Sequence, residues 1–171
     1  MAVSVDVIKT LREQTGAPIG DVKSALEACQ GDPRKAAEYL KRKGFEAAQK
    51  RAGRAAGMGR VEAYIHHDGR VGVLIEVNCE TDFVARLPEF QQLCRDLAMQ
   101  VASQHPRVVR KDDLPMEEQA EAPQACLLEQ PFIKDQGQTI GQYVGSLIAK
   151  TGENIVVRRF VRFGLGESTT A

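Results

Sequence analysis

The apolar residues of this chain keep a helical period of about 3.6 up to residues 57–60, where they first switch to a strand period of 2. A helix-period pattern cannot bury its apolar side as a strand, nor the reverse, so the switch divides the chain into an all-helical part and a mixed part. Charge divides at the same place. Residues 1–60 hold 12 basic and 7 acidic side chains, residues 61–130 hold 6 and 13, and residues 131–171 hold 5 and 3. The formal net charge of +0 therefore hides a basic N-terminal part and an acidic middle. Overall neutrality argues against a surface that grips nucleic acid or anionic lipid as a whole.

The N-terminal part predicts three short helices. Val7, Ile8 and Leu11 share a face behind a Ser4 N-cap, and Gly16 ends that helix in a left-handed conformation. After an Ala17-Pro18-Ile19-Gly20 turn, Val22, Ala25, Leu26 and Cys29 line a second helix stopped at Gly31. Asp32-Pro33 caps and starts the third, buried through Ala36, Ala37 and Leu40. Roughly forty residues make a marginal core, so this bundle docks on or travels with a larger body. Next, FEAAQKRAGRAA over residues 45–56 is Ala-rich and basic and reads as a solvated connecting helix, with Gly53 its weak point.

Beyond the switch, Val61, Ala63 and Ile65 alternate with polar neighbours, His67-Asp68-Gly69-Arg70 supplies a hairpin turn, and Val71, Val73, Ile75 and Val77 continue the alternation. A helix containing Phe90, Leu93, Cys94, Leu97 and Val101 begins near Pro88, followed by an acidic, irregular stretch over residues 112–123. A last amphipathic helix over residues 139–150 turns Ile140, Tyr143, Val144, Leu147 and Ile148 inward, and Gly152 closes it before a strand over residues 155–163. The hairpin is that strand's nearest partner. The expected fold class is α+β: a small antiparallel sheet of three strands covered by helices, after a helical bundle. The expected organisation is a bundle over 1–44, a connector over 45–60 and an α+β module over 61–171.

Cys29, Cys79, Cys94 and Cys126 are widely spaced, without a C-x-x-C pair, and read as free thiols of a reducing compartment. The opening MAVSVDVIKTLREQTG lacks the apolar run of a signal peptide, and no stretch reaches the about 18 apolar residues that span a bilayer. A cytoplasmic bacterial protein without a membrane partner is expected, a processed mitochondrial form being the alternative. No phosphate loop, G-x-S-x-G elbow or H-E-x-x-H motif occurs, and Gly57-Met58-Gly59 and Gly164-Leu165-Gly166 lack the third glycine of a dinucleotide fingerprint. His66 and His67, adjacent on a strand, would point to opposite faces and share no metal. No catalytic residue, cofactor or metal is expected, and the chain reads as a non-enzyme.

One connection stands out: Asn78-Cys79-Glu80-Thr81-Asp82-Phe83-Val84-Ala85-Arg86 joins the second hairpin strand to the long helix, yet carries Phe and Val. Two readings are open. Thr81 or Asp82 caps the helix and Phe83 turns into the core, or Phe83 projects beside an acid as a wedge for another protein's pocket. Burying such a ring is worth roughly 1.5–3 kcal/mol, enough for an interface anchor. The bundle edge from Leu11 to Gly20 is likewise either a docking edge or the loop that closes the bundle core. Lys41, Arg42, Lys43, Lys50, Arg51, Arg54 and Arg60 form a basic stripe without interleaved aromatics, which suits a solvated helix better than a nucleic-acid groove.

Three segments, LREQTGAPIGDVKSALEACQGD, NCETDFVAR and KTGENIVVRRFVRF, strongly resemble the translation elongation factor Ts family, in that order and over nearly the whole chain. Residues 17–22 depart from the family's usual TGAGMMDC. The resemblance implies a ubiquitin-associated-like fold for the bundle and guanine-nucleotide exchange on the GTPase elongation factor Tu as the activity. It implies that Thr81, Asp82, Phe83 and Val84 enter that GTPase beside its magnesium site, with Phe83 as wedge and Asp82 perturbing the ion's surroundings. It further implies that Leu11, Arg12, Thr15, Gly16, Pro18 and Ile19 grip the GTPase. Short members of the family pair as homodimers, so a symmetric dimer through the sheet module is expected, with no direct nucleic-acid partner. An adaptor acting through the bundle, and a nucleic-acid binder using the basic stripe, are the competing readings.

Overall fold

In the computed structural model, which describes residues 4–167, the helical part is built as its caps require. Helix α1 spans Val5–Thr15: the Ser4 side chain accepts from Asp6 N, and Gly16 stops the helix at a left-handed φ of 65°. Helix α2 spans Ile19–Ala28, and α3 spans Pro33–Arg51, with Asp32 accepting from Arg34 N and Lys35 N ahead of Pro33. Leu11, Val22, Ala25, Leu26, Ala36 and Leu40 form the bundle core. The outermost stretches of the expected modules, residues 1–3 and 168–171, lie outside the described residues.

Helix α3 spans the expected boundary at residue 44. It runs unbroken through Gly44, and the expected connecting helix is its second half, ending at Arg51 just before Gly53. Nor is that half wholly solvated, since Ala48 packs against the main core. The reason is tertiary: Gly44 lies against the last helix, where an added Cβ would come 3.4 Å from the Ala149 Cβ. Burial against a neighbour offsets the roughly 1 kcal/mol that an internal glycine costs a helix.

Strand β1 (Met58–Ile65) and strand β2 (Val71–Cys79) form the expected hairpin, closed by His66 N donating to Val71 O and Gly69 N to His66 O. Helices α4 (Asp82–Arg86) and α5 (Pro88–Gln104) follow. The acidic stretch is not wholly irregular: 3-10 turns at Lys111–Asp113 and Met116–Glu121 lead into a short α6 (Ala122–Ala125). Leu114, Ala122, Ala125 and Cys126 give it a small core of its own. Strands β3 (Pro131–Phe132) and β4 (Asp135–Thr139) pair in a ribbon that the sequence, polar at DQGQT, did not disclose. Helix α7 (Ile140–Thr151) starts on a Thr139–Gln142 capping box and ends at Gly152, φ 76°. Strand β5 (Val156–Gly164) completes an antiparallel sheet in the order β1-β2-β5.

Helix α5 covers one face of the sheet and α7 packs on α3 and α5, so that Val73, Ile75, Val77, Phe90, Leu93, Leu97, Val101, Ile140 and Leu147 share one buried core. The other face is bare. The register sets Ala63 opposite Leu74 and Leu74 opposite Val161, with Ile65 opposite Gly72 and Gly72 opposite Phe163. Val61, Ile65, Leu74, Val161 and Phe163 are all exposed there. The alternation of β1 thus does not continue that of β2: its apolar set faces outward, while Tyr64 packs on the core and Glu62 is held by Arg60. Hairpin register, not composition, decides which side of a strand is inside.

A buried polar network ties the β3–β4 ribbon to α5. Asp96, 4% exposed, accepts from Lys134 Nζ at 2.7 Å, Gln92 Nε2 at 2.8 Å and Tyr143 Oη at 3.0 Å. Gln100 receives Ile133 N and donates to Gln130 and to Pro131 O. Each buried polar group thereby keeps a partner.

Candidate functional site

Strand β2 ends at Cys79, whose buried thiol donates to Thr81 O at 3.1 Å. Burial pushes that thiol up to about 11, with the charges of Glu153 and Asp82 acting in the same direction, so it stays neutral and inert near pH 7. Thr81 takes an extended conformation and caps α4, its hydroxyl accepting from Val84 N. Asp82 forms an i,i+4 ion pair with Arg86 at 2.8 Å. Val84 is the buried member of α4, and Phe83, one residue earlier, is 76% exposed. Of the two readings of this segment, the cap is formed as expected but the ring projects into water.

Three groups that sequence reasoning overlooked hold the base of this loop. The Glu153 carboxylate accepts from Glu80 N at 3.1 Å, Thr81 N at 3.0 Å and Thr81 Oγ1 at 2.6 Å. Glu80 accepts from Asn154 N at 2.6 Å and pairs with Arg54 at 3.4 Å. Buried Asn154 donates through its amide to Arg54 O at 2.8 Å. Glu80 and Arg54 are 26 residues apart and the other partners 72 to 100, so no local pattern announces them.

The bundle edge closes the bundle core and also carries exposed side chains. Leu11 is 1% exposed and closes the bundle core, so it shapes the edge from within instead of lying on its surface. Thr15 donates to Leu11 O and receives Ala17 N, Gly16 N donates to Arg12 O, and Arg12, Pro18 and Ile19 are exposed, Ile19 by 54%. Between this edge and α7 lies a cleft of about 460 Å³ lined by Thr15, Gly16, Leu40, Tyr143, Ser146 and Lys150. The Lys150 stem comes within 3.4 Å of where a Gly16 Cβ would stand, and its ammonium binds Glu89 at 2.8 Å. The last turn of α7 and the residues just after it therefore support both candidate regions.

His66 and His67 differ from expectation. His66 lies beyond the end of β1, where strand alternation no longer applies, and the two rings approach to 4.3 Å between centroids. Tyr64 Oη meets His66 Nδ1 at 3.1 Å. Among the described residues, no three His, Cys, Asp or Glu side chains are grouped to hold a metal ion, all four cysteines are free, and no helix is long and apolar enough to cross a membrane.

A family model described as Elongation factor TS matches residues 38–124. A protein named Elongation factor Ts from Thermotoga neapolitana is 46% identical, the alignment covering 98% of this chain and 99% of the relative. The chain belongs to the elongation factor Ts family. Elongation factors Ts from Carboxydothermus hydrogenoformans and Moorella thermoacetica are each 46% identical, covering 96% and 98% of this chain. The elongation factor Ts match at 38–124 contains the Thr81–Val84 loop, and the near full-length relatives extend the likeness over α1 and α2, which that match omits.

Proposed function

We propose that this chain is a guanine-nucleotide exchange factor for the translational GTPase elongation factor Tu and acts without a covalent step. The observation that carries the reading is Phe83: a ring 76% exposed on a helix of five residues whose base is fastened to the fold. A large apolar group held in water by a fastened loop is an anchor awaiting a pocket. Exposed Arg12, Pro18 and Ile19 on the bundle edge would supply a second contact that holds the wedge in place. Thr81 and Val84 set the tip, Phe83 enters the GTPase, and Asp82 brings negative charge to the surroundings of its magnesium ion. Magnesium bridges phosphate oxygens to a GTPase, so disturbing it weakens the largest local positive charge holding GDP.

The coupling is reciprocal. A factor that lowers the affinity for GDP is itself bound less tightly in the presence of nucleotide, so entry of GTP helps release it. The bare face of the sheet supports a symmetric pair: five exposed apolar side chains on adjacent strands are covered when a second copy packs face to face. The deciding measurement is release of fluorescent GDP from elongation factor Tu with and without the chain. Acceleration is expected, and its absence would overturn the proposal in favour of a binding module that acts through the bundle.

A further inference from the structure

The carboxylate of Glu153 accepts both successive N–H groups at the start of the loop and the Thr81 hydroxyl, at 3.1, 3.0 and 2.6 Å. It comes from the far end of the chain, just past the left-handed Gly152 that ends α7. A helix of five residues has too few internal hydrogen bonds to hold its own orientation. Within α4 only Val84 is buried, which offers a pivot but not a direction. We propose that Glu153 is a positioning residue for nucleotide exchange: it sets the direction of α4 and so aims Phe83, without touching the GTPase itself.

The chemistry explains why the group is a carboxylate. Two N–H donors converge on Oε2 and the Thr81 hydroxyl on Oε1, so a carboxylate accepts all three with its charge, whereas an amide would accept the two N–H groups only through a neutral oxygen and would have to reverse the Thr81 bond, donating its NH₂ to the hydroxyl. Hydrogen bonds to an ionised acceptor are about twice as strong as neutral ones. The next residue completes the clasp, because Asn154 N binds Glu80 while the Asn154 amide binds Arg54 O, three residues beyond the end of α3. Lys150, three residues before Glu153, lies against Gly16 of the bundle edge. Wedge and grip are thereby referred to one rigid turn, residues 150–154.

This inference rests on the exchange reading, and its test separates the two. The chain contains no tryptophan, so Phe83→Trp places a single fluorescent reporter at the tip. With Glu153 present, time-resolved anisotropy should show the indole moving with the body, and Glu153→Gln should about double the nanosecond component. Unchanged anisotropy overturns the proposal. In the exchange assay, Glu153→Gln in the full chain should lower the maximal rate of GDP release about tenfold while moving the half-saturating concentration less than about threefold, because the bundle edge still binds. Thr81→Val should reproduce the loss and Thr81→Ser should restore it, a pair that keeps the test decisive if Glu153→Gln folds poorly. In a Phe83→Ala background Glu153→Gln should cost nothing further, and an equal additional loss there would show that Glu153 acts elsewhere. If the wild-type chain accelerates nothing, the exchange reading falls, and anisotropy alone decides whether Glu153 directs the tip.

Discussion

Phe83 and Val84 are consecutive, apolar and opposite in fate: 76% and 6% exposed. Residues one apart on a helix do not share a face, so burying Val84 under α4 obliges Phe83 to project. Phe83→Ala should leave thermal stability within about 0.5 kcal/mol, as for a surface change, while removing most of the acceleration of GDP release. Val84→Ala should instead cost about 2 kcal/mol in denaturant titration, because it empties a packed site. The buried thiols make a pH prediction. Burial raises Cys79 to about 11 and Cys94 to about 12 from an ordinary 9.0, so folding favours their neutral forms. That contribution is complete below pH 9 and is lost as pH rises toward 11 and 12. Urea midpoints flat in this respect from pH 6 to 8 and falling above 9 would agree, and Cys94→Ala should flatten the alkaline fall.

At the level of elements, α3 and α7 approach closely because small residues face each other, with Gly44 of α3 against Ala149 and Gly145 O of α7. A branched side chain has no room there: Gly44→Val should destabilise by about 1–3 kcal/mol and loosen the bundle from the core, measured as faster amide exchange in α1 and α2. Gly152→Ala should cost about 1 kcal/mol through its φ of 76° alone, since no neighbouring atom lies within 4 Å of the added Cβ. Any larger effect on exchange than on stability would reflect the displaced Glu153 next to it. The Asp96 network behaves differently from a wholly buried ion pair, because the Lys134 side chain is 47% exposed and returns to water when its partner is removed. Asp96→Ala should therefore cost about 2 kcal/mol, chiefly from the lost acceptor of Tyr143 and Gln92, and should free the β3–β4 ribbon.

The molecule as a whole has two unequal sides. One side of the sheet carries α5 and the main core, and the other exposes Val61, Ile65, Leu74, Val161 and Phe163. A symmetric pair through this face predicts a sedimenting mass twice 18.8 kDa, and Phe163→Glu or Leu74→Glu should return it to 18.8 kDa without unfolding, because both side chains already face water in a single chain. A single species of 18.8 kDa for the wild type at micromolar concentration would count against the pair. The basic half of α3 packs one face on the core and carries Lys50 and Arg51 in its last turn, where cations oppose the helix dipole favourably. That gives Lys50 and Arg51 of the stripe a structural role.

Sequence by itself determined the elements whose signals are local. The Ser4 and Asp32 caps, the left-handed stops at Gly16 and Gly152, the hairpin turn at Asp68-Gly69 and the buried faces of α5 and α7 all follow from neighbours within about four residues, and each is present as expected. The motif that carries family membership was legible in the same way, in NCETDFVAR and KTGENIVVRRFVRF. Only the tertiary structure decided that α3 passes straight through Gly44, that β1 turns its apolar side outward and that Phe83 stands in water. It alone brought Glu153 to Thr81. Those outcomes depend on pairings between residues tens of positions apart, where strand register and helix contact, not local propensity, choose which of two possible faces is buried.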